Sequence, residues 1–226
     1  IFPEPSIKSK NLKQFFLIII KTQMSSLPKT IRWDSGELYL LDQTMLPQKV
    51  VEEKQETVEQ VWDSIRQLKV RGAPAIGVAG AYGLLLAIRD KTGLHKNKFH
   101  ELIKAKAEYL DSSRPTAVNL KWALDRMLEC AKSFSGEDSK EFFKSLEDEA
   151  LRIHIEDEQL CLNIGKFGVS LIKKGIGVLT HCNAGALATT GIGTATAPMY
   201  LAHQKKIDFR VYSSETRPLL QGARLT

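Results

Sequence analysis

The stretch from Gly72 to Ile88 constrains the fold most, because seventeen consecutive residues carry no charge. A helix needs roughly 20 apolar residues to cross a bilayer, and this stretch is shorter and contains Pro74. We therefore expect a buried helix from Ala75 to Ile88, since proline is tolerated in a first turn, where its missing amide hydrogen costs nothing. Small residues recur at helical spacing on one face, which predicts close approach of another backbone: Gly77, Gly80 and Gly83.

The composition is that of an ordinary globular protein, with 226 residues, 43% hydrophobic and 26% charged. These values exclude collagen-like, low-complexity and wholly disordered chains. The net charge of +6 is weak evidence for nucleic-acid binding, because Lys and Arg form no compact patch interleaved with aromatic residues. We therefore expect neither a nucleic-acid partner nor a membrane span.

Two domains are predicted before any motif is considered. Residues 1–23 read as an N-terminal extension, either an upstream artefact or a disordered arm. Residues 24–136 form a small, mostly helical domain whose hairpin is centred on Asp34-Ser35-Gly36, with Gly36 at positive φ. Residues 137–226 form the second domain, after a linker at 134–139. Apolar residues at helical spacing predict further helices at 53–69, 99–110, 120–128 and 141–163.

The pattern of the second domain changes after residue 175. We predict a short buried strand at 175–180, a turn at 181–185, a helix at 187–204 and a second strand at 207–213. This β-α-β unit is the building block of a parallel sheet. The predicted fold class is α/β: a helical N-terminal domain with a short antiparallel sheet, then an incomplete Rossmann-like parallel-sheet domain, because complete ones have five or six strands.

The three cysteines, Cys130, Cys161 and Cys182, are widely spaced and form no CxxC pair. This spacing argues against disulfides and a structural zinc site, and it favours a reducing cytosol. Cys182 lies between a strand and a helix, where open α/β sheets bind ligands. The alternative is a small buried hydrophobe, the role predicted for Cys130 and Cys161. His181 is expected to point away from Cys182 on an extended backbone, so packing is favoured over base catalysis.

Two single cations precede helices, Arg71 before Gly72 and Arg114 before Pro115. Such positions suit a bidentate grip on a phosphate, although a lone arginine is more often a surface charge. Gly and Thr residues at 185–196 suit backbone amides that approach a phosphate. The spacing matches neither the dinucleotide nor the Walker pattern, and Cys and His spacing suggests no metal. We therefore expect no cofactor and no metal.

Five segments carry recognisable motifs: LDQ at 41–43, VRGAPAIG at 70–77, RPTAVNL at 114–120, THCNAG at 180–185 and ETRPLLQG at 215–222. Together they resemble the methylthioribose-1-phosphate isomerase family, in the superfamily of the regulatory subunits of translation initiation factor 2B. The resemblance implies a homodimer of methionine salvage that converts 5-methylthioribose 1-phosphate to 5-methylthioribulose 1-phosphate. It implies that Cys182 is catalytic, and the matching substrate-binding positions are Arg71, Gly72, Ala73, Arg114 and Gln221.

In that family a catalytic Asp and an Asn-Lys pair follow the QGARLT segment, whereas this sequence ends at Thr226. We therefore expect a C-terminally incomplete chain that lacks the acid. Two other functions stay open: a non-catalytic regulatory subunit resembling those of translation initiation factor 2B, and a ribose 1,5-bisphosphate isomerase. Transfer of hydrogen from C2 to C1 as a proton or as a hydride also stays open. The expected location is the cytoplasm, with the nucleus as an additional one.

Overall fold

The computed structural model describes residues 28–226, so the extension predicted at residues 1–23 lies outside the described part. A helical part that carries a small antiparallel sheet is followed by a parallel pair of strands, as the predicted fold class requires. The elements in chain order are β1 (Ile31–Asp34), β2 (Glu37–Leu41), β3 (Glu52–Gln55), α1 (Val58–Arg66), α2 (Ala73–Ile88), α3 (Lys96–Asp111), α4 (Val118–Ser133), α5 (Ser139–Gly168), β4 (Gly177–Thr180), α6 (Ala197–Gln204), β5 (Arg210–Ser213) and α7 (Gln221–Arg224).

The antiparallel sheet begins with the predicted hairpin. β1 pairs with β2, and Asp34 lies opposite Glu37. The two turn residues between them, Ser35 and Gly36, have φ values of 52° and 82°. Positive φ at both central residues matches the right-handed twist of the flanking strands. The hairpin prediction is confirmed.

The helix predicted at 53–69 begins later than expected, because Glu52–Gln55 forms β3 on the other side of β2. α1 starts at Val58, where Thr57 and Gln60 form a capping box. The Thr57 hydroxyl accepts from the Gln60 amide at 3.3 Å, and the Gln60 side chain accepts from the Thr57 amide at 3.3 Å. This reciprocal cap fixes the start of the helix.

The uncharged stretch forms α2, which starts at Ala73 and lies at the centre of the helical part. Helices α1, α3, α4 and α5 pack around it. A Cβ added to Gly77 would lie 2.8 Å from the carbonyl oxygen of Asn119 on α4. The predicted close approach of a second backbone is therefore confirmed at Gly77. Within residues 28–226, no helix combines the length and the apolar character needed to cross a membrane.

The long helix α5 contributes to two of the three hydrophobic cores within residues 28–226. Phe142 and Leu146, near its start, pack into the first core, which surrounds α2. Cys161, nearer its end, packs into a smaller second core with residues of α6. The same helix therefore supports both parts of the molecule. The domain boundary between residues 136 and 137 stays a prediction.

The second part contains the predicted β-α-β unit. β4 and β5 run parallel, from Gly177 opposite Arg210 to Thr180 opposite Ser213. The prediction of a buried strand is wrong for β4, because Leu179 is 74% exposed. This parallel sheet has two strands within residues 28–226, and no helix of the described chain covers Leu179 on one of its faces.

The helix predicted at 187–204 is only half correct. A short 3₁₀ turn covers Ala186–Ala188, and the α-helix starts at Ala197. Between them, the Thr189 hydroxyl accepts from the amides of Gly191 and Gly193, each at 3.2 Å. Threonine side chains that bond nearby backbone groups compete with helical hydrogen bonds. The Gly- and Thr-rich segment therefore forms a loop.

Candidate functional site

Predicted site residues from both parts of the chain come together where the start of α2 faces the 3₁₀ turn that follows β4, whereas Arg114 makes no direct contact with them among the hydrogen bonds and ion pairs of residues 28–226. Gly72 allows this meeting, because it has a φ of 95° and a Cβ there would lie 2.4 Å from the Cα of Ala188. Any side chain at this position would collide with the 3₁₀ turn that follows Cys182. A glycine therefore brings the first turn of α2 against the segment that carries the thiol.

Arg71 and Gln221 contact each other across the two parts. The Gln221 amide is assigned so that its oxygen accepts from Nη2 of Arg71 at 3.0 Å and its nitrogen donates to the Thr216 carbonyl at 2.9 Å. This orientation satisfies both polar atoms of the amide. The start of α7 is thus fixed beside Arg71, two residues before the start of α2.

Positive charge is concentrated around Arg71. Burial lowers the pKa of its guanidinium; a negative charge on Cys182 opposes this shift, and the positive charges of Arg224 and Arg114 add to it. The thiol and the other two arginines are therefore close enough to act electrostatically on one half-buried cation. A cluster of guanidinium groups in a partly dry place favours an anion, and a phosphate fits the guanidinium fork.

Cys182 has an unusual backbone conformation for a residue with a side chain. Its φ is 61°, in the left-handed region, and Thr216 and Leu220 have φ values of 65° and 55°. Among residues 28–226, six non-glycine residues have positive φ, and three of them belong to this site. Strained backbone is concentrated at functional sites because surrounding contacts must hold it there. One such contact is the hydrogen bond from the Thr226 hydroxyl to the Cys182 carbonyl.

The other two cysteines differ from Cys182 in their surroundings. Cys161 is 1% exposed, and burial raises the pKa of its thiol to about 11. Burial also raises the pKa of Cys130 on α4. Cys161 is therefore the small buried side chain that was predicted, whereas Cys130 is half-buried against the first core and Cys182 is half-buried after β4. The adjacent His181 is exposed, and its Nδ1 hydrogen-bonds to the Ser214 hydroxyl at 2.7 Å.

The loop after β2 supports the site, a role that the sequence pattern did not reveal. Gln43 is fully buried, and its Nε2 donates to the Leu187 carbonyl at 2.7 Å. Arg224 donates from Nη1 to the Leu46 carbonyl at 2.8 Å. These contacts hold both the 3₁₀ turn and α7 against the first sheet. The motif at 41–43 marked the loop, but only the structure shows its partners.

Buried polar atoms without partners are concentrated at the same place. Within residues 28–226, five buried side-chain atoms lack a hydrogen bond, and four of them belong to Gln43, Thr180 and Asn183. An unsatisfied buried polar group costs roughly 1–3 kcal/mol. Native proteins tolerate few such groups, and those that persist often serve a function. The end of β4 therefore offers hydrogen-bonding groups that a ligand can use.

The described residues show no candidate metal site, since no group of three or more His, Cys, Asp or Glu side chains is placed to hold an ion in residues 28–226. The expectation that the protein uses no metal stays a prediction. What the geometry brings together is a thiol, several guanidinium groups and a helix N-terminus. The arrangement suits a small anionic ligand with polar groups.

Comparisons with known proteins agree with this type of site. Residues 69–226 match the Initiation factor 2 subunit family. The chain is 52% identical over 198 residues to 5-deoxyribose 1-phosphate isomerase of Clostridium botulinum (strain Loch Maree / Type A3), covering 87% of this chain and 57% of that protein. The chain thus spans little more than half the length of this relative.

Two solved structures resemble the chain. The first is 5-methylthioribose 1-phosphate isomerase from Pyrococcus horikoshii OT3, with a TM-score of 0.84, 36% identity, and coverage of 90% of this chain and 57% of that one. The second is subunit delta of translation initiation factor eIF-2B from A. fulgidus, with a TM-score of 0.79, 41% identity, and coverage of 88% and 58%. The two titles describe a phosphosugar isomerase and a translation-factor subunit.

Proposed function

Because the chain belongs to the Initiation factor 2 subunit family, we propose that it acts as an isomerase that interconverts the aldose and ketose forms of a pentose 1-phosphate. The observation that carries this proposal is the contact between Arg71 and Gln221 beside Cys182. The named substrates of the relatives, 5-deoxyribose 1-phosphate and 5-methylthioribose 1-phosphate, differ only at C5. We take both as candidate substrates, the second corresponding to methionine salvage.

The phosphate would bind where α2 begins. The first turn of a helix presents amide groups without intrahelical partners, and the helix dipole favours negative charge there. Arg71 directly precedes Gly72, and Arg114 is near enough to act electrostatically on Arg71, so we propose that both guanidinium groups bind the phosphate. Gln221 holds Arg71 in place, so the phosphate-binding group is oriented before the substrate arrives.

The substrate dictates what the remaining groups must do. Its anomeric oxygen carries the phosphate, so the ring cannot open by losing a hydroxyl proton, and an acid must protonate the ring oxygen. A hydrogen then leaves C2 and arrives at C1. In a proton route, the Cys182 thiolate is the base that removes the C2 proton. In a hydride route, the thiol instead shapes a dry pocket around the developing charge.

The test is a turnover assay in which proton NMR monitors the conversion of each candidate sugar phosphate. In a version of the protein that spans the whole length of its relatives and so includes the expected acid, we expect formation of the ketose 1-phosphate, with a loss of roughly 10²-fold or more in rate for Cys182→Ser. Cys130→Ser is the matched control, because this thiol lies on α4, where it hydrogen-bonds to the Ser145 carbonyl. In D₂O, deuterium at C1 of the product supports the proton route, and its absence supports hydride transfer. Equal rates for Cys182→Ser and wild type would contradict the catalytic role.

A second candidate function is a non-catalytic regulatory subunit, favoured by the similarity to subunit delta from A. fulgidus. This alternative predicts that a version spanning the whole length of the relatives also turns over none of 5-deoxyribose 1-phosphate, 5-methylthioribose 1-phosphate and ribose 1,5-bisphosphate. Turnover of the bisphosphate alone would instead identify a ribose 1,5-bisphosphate isomerase. Homodimer formation, absence of a cofactor and of a nucleic-acid partner, and a cytoplasmic or nuclear location stay predictions. Light scattering of the purified chain tests the first of them.

A further inference from the structure

We infer that Asn183 is a specificity-determining residue that hydrogen-bonds the C2 hydroxyl of the sugar, an inference that rests on the proposed function. Both polar atoms of its side-chain amide, Nδ2 and Oδ1, are buried without a hydrogen-bond partner. Asn183 directly follows Cys182 at the end of β4. It therefore lies at the place where the thiol and the arginines converge, and none of the motif matches assigned it a role.

The backbone on both sides of Asn183 is held by hydrogen bonds. The Cys182 carbonyl accepts from the Thr226 hydroxyl, and the Ala184 carbonyl accepts from the Thr194 amide at 3.1 Å and the Thr196 hydroxyl at 3.2 Å. The segment is therefore presented in one conformation. An amide that stays unpaired in such a fixed place costs roughly 1–3 kcal/mol for each unmade bond. A ligand that supplies both partners would recover this cost.

The chemistry of the amide selects the kind of partner. Oδ1 needs a hydrogen-bond donor and Nδ2 needs an acceptor. A fully ionised phosphate offers acceptors only, so it cannot satisfy Oδ1. A sugar hydroxyl offers one donor and two acceptor positions, so it can satisfy either atom. The cations Arg71 and Arg114 take the phosphate, which leaves the carbohydrate part of the ligand for Asn183.

The C2 hydroxyl is assigned because C2 is the carbon that loses hydrogen in the proposed reaction. Cys182 must reach this carbon in the proton route, and Asn183 is its immediate neighbour in the chain. A site that hydrogen-bonds a substrate hydroxyl rejects an analogue that lacks it, because the buried groups of the site are then left unpaired. Asn183 therefore provides discrimination against 2-deoxy sugars.

The test is calorimetric titration of the whole 226-residue chain with ribose 1-phosphate, 2-deoxyribose 1-phosphate and inorganic phosphate. We expect wild type to bind ribose 1-phosphate roughly tenfold more tightly than the 2-deoxy sugar, the value of one good hydrogen bond. Asn183→Ala should bind both sugars with the same, weaker affinity. Its affinity for inorganic phosphate should stay unchanged, because the arginines are intact.

Two further variants make the result interpretable. Asn163→Ala removes a similar amide from α5, where Gln159 donates to Asn163 at 2.8 Å, and it should keep the wild-type preference. Asn183→Leu keeps a similar shape but removes both polar atoms, so it should also lose the preference, and it serves if Asn183→Ala does not fold.

Three outcomes are decisive. A preference for ribose 1-phosphate that survives in Asn183→Ala, or in Asn183→Leu if the alanine variant does not fold, overturns the role of Asn183 and leaves the proposed function intact. Absence of any preference in wild type has the same meaning. If wild type binds neither sugar, the proposed function fails and this inference fails with it.

Discussion

The helical part around α2 and the β-α-β part differ in how completely they are packed. In the first, Tyr82 and Leu85 on α2 are fully buried. In the second, Val211 and Tyr212 on β5 are 50% and 53% exposed. The first part has a large core, whereas the second has a smaller core and is also held by contacts with the first. The candidate site lies along the boundary where those contacts are made.

The contacts along this boundary come from several separate elements. Thr30, before β1, donates to the Ala186 carbonyl at 3.1 Å, and Gln43, after β2, donates to the Leu187 carbonyl. Arg224 donates in the opposite direction, to the Leu46 carbonyl of the first part. A rigid helical scaffold thus fixes loops that carry the thiol and Gln221. Precise positioning of a site requires this kind of support.

The largest expected difference between the two parts comes from truncating one leucine to alanine in each of them. Leu85→Ala leaves a cavity in the first core and should lower the free energy of unfolding by about 2–5 kcal/mol. Leu179→Ala truncates a side chain that is 74% exposed, so the free energy of unfolding should change by about 0.5 kcal/mol or less. Urea unfolding followed by circular dichroism measures both. Equal losses would show that the two parts do not differ in packing.

The next effect concerns His154, which joins the two parts. Its Nδ1 hydrogen-bonds to the Tyr82 hydroxyl at 2.9 Å, and its carbonyl accepts from Thr190 at 3.3 Å. Burial lowers the pKa of His154 from 6.5 to about 4, and the positive charge of Lys29 contributes. The unfolded chain therefore takes up a proton between pH 6.5 and about 4 that the folded chain resists. Folding stability is fully present above this range and is lost as the pH falls through it.

The shift corresponds to about 3 kcal/mol. Urea unfolding at pH 7 and pH 4 should show this loss in wild type, and His154→Gln should reduce it. His203→Gln, a substitution on the exposed face of α6, is the control and should behave as wild type does. A pH dependence that is the same in wild type and His154→Gln would show that this imidazole does not stabilise the boundary.

The smallest effect tests the close approach at Gly72. Gly36 and Gly72 both have positive φ, but a Cβ at Gly36 meets nothing within 4 Å, whereas a Cβ at Gly72 meets Ala188. Gly36→Ala should cost about 1 kcal/mol through its backbone conformation alone. Gly72→Ala should cost about 1–2 kcal/mol more, since Ala188 must also move. Thermal unfolding measures the difference between the two variants. Equal losses of stability would mean that the 3₁₀ turn at Ala186–Ala188 moves aside without an energetic cost.

Much of the fold could be predicted because its strongest signals are local. The uncharged stretch is long enough for a helix and too short for a membrane span, so α2 was predicted to within two residues of its start. β3 was missed because Glu52–Gln55 is polar and precedes a helix, so its acids resembled a helix start. Its register depends on distant partners, such as the ion pair between Arg32 and Glu52 at 2.6 Å. Such pairs are not visible in a local pattern.

The candidate site residues were predicted from motifs, and only the structure shows their arrangement. Arg71, Cys182 and Gln221 were predicted from recognisable segments, and the structure brings them together. The support from Gln43 and the unpaired amide of Asn183 could not be predicted, since both depend on which atoms lie nearby after folding. The loop at 189–196 was predicted as helix because the bonds of the Thr189 side chain leave no periodic signal.

The central claim is that the boundary between the two parts binds the phosphate of a pentose phosphate through Arg71. Titration of ribose 1-phosphate into Arg71→Gln, with Arg210→Gln on the exposed strand β5 as control, tests this most directly. A hydrogen bond to a charged group contributes about 1.5–3 kcal/mol, so Arg71→Gln should bind roughly tenfold to hundredfold more weakly. Arg210→Gln should bind as wild type does. Equal affinity of all three proteins would contradict the account.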